Sequence, residues 1–78
     1  MESTRVVFTK AASKQMHRAP DYIVDKLLAW AKAAERHGLE ALRRVPGYHD
    51  EPLQGPRQGE RSIRLNRQWR AIYREERN

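Results

Sequence analysis

The residues best equipped for chemistry in this chain are arginines crowded into its last third: Arg57, Arg61, Arg64, Arg67, Arg70, Arg74 and Arg77, with no lysine among them. A guanidinium stays charged at any working pH and presents paired N–H donors that match two phosphate oxygens, a geometry an ammonium lacks. Strand-like alternation divides the series. If Ile63 and Leu65 turn toward a core, Ser62 and Arg64 turn to the opposite face. Arg57, on the preceding loop, can close over that same face. Arg61, Arg67 and Arg74 extend the cationic surface as candidates for binding RNA. Tyr73 is a candidate for stacking on a base, whereas Trp69 is assigned to the core. The plainer alternative is a solvated arginine face neutralised by Glu60, Glu75 and Glu76.

Histidine adds one further candidate. His49 lies in the loop Tyr48-His49-Asp50-Glu51 just ahead of the basic segment, where an imidazole can exchange protons near neutral pH. His17 and His37 fall in helical stretches and share no site. The chain has no cysteine and no His-x-x-x-His pair, so no metal site is expected. A phosphate loop, a nucleophile elbow and a dinucleotide fingerprint are also missing. The doublet Asp50-Glu51 is too slight to suggest a two-carboxylate mechanism. Any catalysis is therefore expected to run on arginine, without metal or cofactor.

Composition sets the class of partner. Sixteen basic residues against ten acidic ones leave a net charge of +6 over 78 residues, with an isoelectric point near 10.3. A field of that sign draws in polyanions, nucleic acid first. The longest apolar stretch, residues 23–34, is broken by Asp25, Lys26 and Lys32, so no membrane span is expected. The start of the chain lacks the layout of a signal peptide, and the expectation is one cytoplasmic domain over residues 1–78.

The elements that must position these residues follow from periodicity. Arg5 to Thr9 reads as a strand. Residues 10–19 read as a helix that Pro20 ends. A second helix carries Ile23, Leu27, Trp30 and Ala34 on one stripe, widened by Val24, Leu28 and Ala31, and stops at Gly38. Leu39, Leu42 and Val45 suggest one or two further turns. The stretch from Pro46 to Gly59 reads as loop. Residues 61–65 and 69–74 alternate as two strands joined by a hairpin at Asn66-Arg67-Gln68. The order gives an α+β fold with a small antiparallel-containing sheet and two N-terminal helices packed on one face.

The run Val45-Pro46-Gly47-Tyr48-His49-Asp50-Glu51-Pro52-Leu53-Gln54-Gly55, followed by Arg57-Gln58-Gly59-Glu60-Arg61-Ser62-Ile63-Arg64-Leu65-Asn66 and Trp69-Arg70-Ala71-Ile72-Tyr73, resembles the RelE/ParE superfamily of toxins. It is most similar to the HigB and "killer protein" branch. Phe8-Thr9-Lys10, Lys14-Gln15-Met16 and Lys26-Leu27-Leu28-Ala29-Trp30 fit the same pattern, so the resemblance covers nearly the whole chain. It implies a sheet with helices on one side and an RNA-binding concavity on the other. It also implies ribosome-dependent mRNA cleavage in the A site and a tightly bound cognate antitoxin. Carried over by position, Arg57, Arg64 and Arg70 form the phosphate and transition-state group, Arg61 is a further candidate, and His49 or Glu51 transfers protons.

Two departures stand beside the resemblance. Gln54 occupies a position that the family often fills with lysine. The family's further C-terminal strand, with its terminal acid/base residues, is missing after Tyr73. That absence is expected to leave the strand at residues 69–74 with an open edge, inviting an antitoxin segment or a second copy of the chain. Two alternative functions follow: a toxin fold that binds antitoxin or nucleic acid without cutting, and a ParE-like inhibitor of DNA gyrase. The Ser62-to-Asn66 and Trp69-Arg70 runs favour the nuclease branch.

Overall fold

The computed structural model describes residues 3–76. Helix α1 (Lys10–Arg18) begins where the Thr9 hydroxyl accepts a bond from the Ala12 amide at 3.0 Å, and it ends at the extended Ala19 before Pro20. Helix α2 (Asp21–His37) carries Asp21 in its first turn and Arg36 in its last, each sign matching the helix dipole. Gly38, at φ 87°, ends it, a conformation that costs glycine little. Helix α3 (Leu39–Arg43) follows immediately. A 3₁₀ turn at Pro46–Tyr48 then leads into His49, held in the left-handed region at φ 46°.

The strands β1 (Glu51–Pro52), β2 (Arg61–Arg64) and β3 (Arg70–Tyr73) form one antiparallel sheet in that order, so the fold is α+β. Ser62 faces Ile72 across the β2–β3 hairpin and Arg64 faces Arg70, while Glu51 of β1 faces Ser62. Asn66 shapes the hairpin tip. Its Oδ1 accepts from the amides of Gln68 at 2.8 Å and Trp69 at 2.7 Å, satisfying two donors that a bare turn leaves open. Its Nδ2 donates to the Tyr22 hydroxyl at 3.1 Å, tying the tip to the first turn of α2.

Ile23, Trp30, Ala31 and Ala34 of α2, Leu42 of α3, and Ile63 and Leu65 of the hairpin make the buried core. Alternation along β2 works as expected, with Ile63 and Leu65 turned to the helices. Leu28, assigned to the wider apolar stripe of α2, is instead 42% exposed. Helix α1 buries no residue, and the short α3 covers the core through Leu42.

The expected strand at Arg5 to Thr9 does not form. Its alternation survives: Val6 and Phe8 pack against the core while Val7 points out, 74% exposed. The surface they meet is α2, and the Val6 amide donates to Glu35 Oε2 at 2.8 Å rather than to a strand carbonyl. Period-two burial reports a flat apolar neighbour, not the kind of neighbour.

Ile63 has no exposed surface at the centre of this core. Ile63→Ala is expected to cost about 3 kcal/mol, the usual price of a truncated core isoleucine. Urea unfolding followed by circular dichroism measures it, and a loss below about 1 kcal/mol would place the core elsewhere.

Candidate nucleic-acid interface

The hairpin sorts its charged residues onto two faces. On the helix side lies a closed network centred on Asp50, whose side chain has no exposed surface. Arg61 Nε donates to Asp50 Oδ1 at 2.6 Å, and the Tyr73 hydroxyl donates to Asp50 Oδ2 at 2.6 Å. Arg43 Nε donates to the Tyr73 hydroxyl at 3.4 Å, and its Nη atoms pair with Glu40 at 3.0 Å and Glu75 at 3.1 Å. The Tyr73 ring packs against Trp30 at a tilt of 51°, with centroids 5.1 Å apart. Burial, reinforced by the bond to Asp50, holds the Tyr73 hydroxyl above its ordinary pKa of 10.0, with Arg43 pulling the other way. The bond to Tyr73 in turn keeps Arg43 protonated more firmly than usual.

On the opposite face stand Glu51, Ser62, Arg64, Arg70 and Ile72, as the register requires. Arg70 Nη2 lies 2.9 Å from Ser62 Oγ and 3.0 Å from Glu51 Oε1, with its Nε 3.3 Å from the same hydroxyl. The guanidinium thus covers Ser62, which is only 2% exposed. A carboxylate, a guanidinium and a hydroxyl meet here within hydrogen-bond distance, with Arg64 paired directly across from Arg70.

Beside this face is a depression of about 330 Å³ lined by Lys26, Gly47, His49, Arg64, Asn66 and Arg67 around the buried Leu65. No carboxylate lines it. Among the described residues, Lys26, Arg64 and Arg67 make no salt bridge, nor do Arg5, Lys10, Lys14, Arg18, Lys32, Arg36 and Arg44, whereas Arg43, Arg57, Arg61, Arg70 and Arg74 each have an acidic partner. What sets the first three apart is that they share one depression.

The structure therefore brings together His49, Arg64 and Arg67 in the depression, with Arg70 across the hairpin from Arg64. Arg57 makes a different contact, pairing at 3.1 Å with Glu60 inside its own loop, and it does not line the depression. Arg74 lies 3.8 Å from Glu76 near the end of β3. Arg61 and Tyr73 are turned to the helix side and engaged by Asp50. Lys26 and the anchoring role of Asp50 have no signal in the sequence, whereas Ser62 takes the open face that alternation gives it. Lys26 sits one helical turn beyond Tyr22, so the Tyr22–Asn66 bond brings its face of α2 to the hairpin tip. Among the described residues no group of three or more His, Asp or Glu is placed to hold a metal, and no helix is long and apolar enough to cross a membrane. Comparison with protein-family models, with curated proteins and with solved structures finds no match to this chain.

The buried network makes two expectations. Asp50→Ala strands Arg61 and Tyr73, and a loss of about 3 kcal/mol is expected in urea unfolding, at the low end for a broken buried pair because the Arg61 side chain keeps 27% of its surface in water. Tyr73 keeps its proton more tightly folded than unfolded, so its stabilisation is complete below pH 10 and drains away as pH rises past that point. Thermal melts at rising alkaline pH should fall more steeply for the wild type than for Tyr73→Phe; parallel curves would contradict the shift.

Proposed function

We propose that this chain is the toxin of a type II toxin–antitoxin pair, of the RelE/ParE kind, and that it cuts mRNA on the ribosome with its own side chains. The observation that carries the reading is the group on the open sheet face: Arg70 within hydrogen-bond distance of both Glu51 and Ser62, and Arg64 directly across from Arg70. Cleavage of RNA by its own ribose needs little more than this. The 2′-hydroxyl attacks the adjacent phosphorus, the bond from phosphorus to the 5′-oxygen breaks, and a 2′,3′-cyclic phosphate and a 5′-hydroxyl result. Glu51 takes the 2′-hydroxyl proton. Arg70 and Arg64 hold the charge that builds on the phosphoryl oxygens. His49, lining the depression beside Arg64, gives a proton to the departing 5′-oxygen.

The same reading names the partners. The protein works in the cytoplasm, on ribosome-bound mRNA, and a cognate antitoxin masks the cationic face until it is removed. The outer edge of β3 is unpaired among the described residues, and it offers a strand site to an antitoxin segment or to a second copy. A toxin fold that binds without cutting is favoured by one observation, the pairing of Arg57 with Glu60 away from the reacting group, which leaves fewer cations on it than the resemblance implies.

Cleavage of mRNA in a reconstituted translation reaction separates the readings. The wild-type chain is expected to cut in the A site. Glu51→Gln and Arg70→Ala should slow the cut about 100-fold or more while remaining folded. Ribosome or antitoxin binding with no cut would establish the binding-only reading, and inhibition of gyrase with no cut would establish the ParE-like one.

A further inference from the structure

We infer that the depression beside the sheet is a second phosphate site, one that grips a phosphate of single-stranded RNA without cutting it, with Lys26 and Arg67 as its own ligands. The inference rests on the reading of the substrate as RNA. Its first support is charge. Lys26, Arg64 and Arg67 bring three full positive charges to one depression of about 330 Å³ that no carboxylate lines, and none of the three forms a salt bridge among the described residues. Like charges held together raise the local potential, and an anion with several oxygens relieves it. Guanidinium forks match those oxygens two at a time.

Its second support is construction. Arg67 rides on a hairpin tip whose backbone is fixed by Asn66 Oδ1, and Asn66 Nδ2 binds that tip to the Tyr22 hydroxyl at 3.1 Å. Lys26 follows Tyr22 by one helical turn and so presents its ammonium on the tethered side of α2. The cations therefore come from two separate elements cross-braced by a side-chain bond. The third support is what the depression lacks. No carboxylate lines it, so nothing there matches Glu51 as acceptor of a 2′-hydroxyl proton. Arg64 and His49 are shared with the reacting group, whereas Lys26 and Arg67 belong to the depression alone. A strand lying across both sites places one phosphate over Arg70 and Glu51 and a neighbouring one in the depression.

The test uses the full chain and a fluorescein-labelled RNA hexamer carrying 2′-O-methyl groups, so that it cannot be cut. Affinity is measured across a salt series. The Lys26→Ala/Arg67→Ala double variant is expected to flatten the plot of log K against log salt by about 0.7, the change for one lost single-strand phosphate contact. Lys14→Ala, on α1, should leave the slope unchanged. In the reconstituted translation reaction the double variant should raise the KM for ribosome-bound mRNA and keep kcat within about twofold. Tyr22→Phe, which breaks the brace and keeps every cation, should weaken binding with the slope retained. An unchanged slope in the double variant, with RNA still bound, overturns the second site and leaves the nuclease reading intact. If the wild type does not bind the free hexamer, the nuclease reading is decided by cleavage in the translation reaction, and titration with inorganic phosphate decides the site alone. Saturating shifts of the Arg64 and Arg67 Nε–H resonances that vanish in Lys26→Ala support an anion site, and no shift overturns it.

Discussion

A carboxylate with no exposed surface has to be balanced inside the protein, and Asp50 is balanced by Arg61 on one oxygen and the Tyr73 hydroxyl on the other. Those partners sit opposite each other on β2 and β3, so one side chain ties the loop before β1 to both strands of the hairpin. Arg43 extends the tie to α3. Because strand side chains alternate, turning Asp50 inward turns Glu51 outward, where it meets Arg70. The left-handed backbone at His49 reverses the chain immediately before this anchor. In a protein this small, with a core of few large side chains, such a polar clasp is a substantial part of what defines the outer face.

The charge distribution follows from the same division. Cations on the helix side are engaged by Asp50, Glu40 and Glu75, so they hold the fold and add little to the outer field. On the open face Arg70 has one acidic partner, and in the adjoining depression Lys26, Arg64 and Arg67 have none among the described residues. The hairpin end is thus one place where cations without an ion pair, Lys26, Arg64 and Arg67, meet in a single depression. That is the pattern expected for gripping a phosphodiester chain, where positioning contacts are electrostatic and only one pair of groups has to move protons.

Much of this was legible in the order of residues. The stripe on α2 with its stop at Gly38, the hairpin about Asn66 and the inward turn of Ile63 and Leu65 all follow from local periodicity and turn chemistry. Arg64 and Arg70 were grouped by the resemblance, and the strand register sets them opposite each other. Asp50 was invisible as an anchor because its partners lie far along the chain, and a loop carboxylate looks the same in sequence whether sealed or solvated. Tyr73 read as a surface aromatic for the same reason, since alternation cannot say which face is covered until one residue of the register is known. Lys26 was hidden by a tertiary bond, Tyr22 to Asn66, that no spacing reveals. The extended Val6-to-Phe8 segment was misread as a strand because burial on α2 leaves the same alternating trace.

All of these assignments converge on one surface, and the contact with RNA proposed for it can be tested directly. The decisive measurement is backbone and arginine side-chain NMR of the ¹⁵N-labelled chain titrated with a 2′-O-methyl RNA hexamer. That surface requires saturating shifts at Arg64, Arg67, Arg70 and the loop from His49 to Glu51, with α1 and the Val6–Phe8 segment packed on α2 unmoved. Shifts centred on α1 or on the Val6–Phe8 segment, with the hairpin silent, would contradict it.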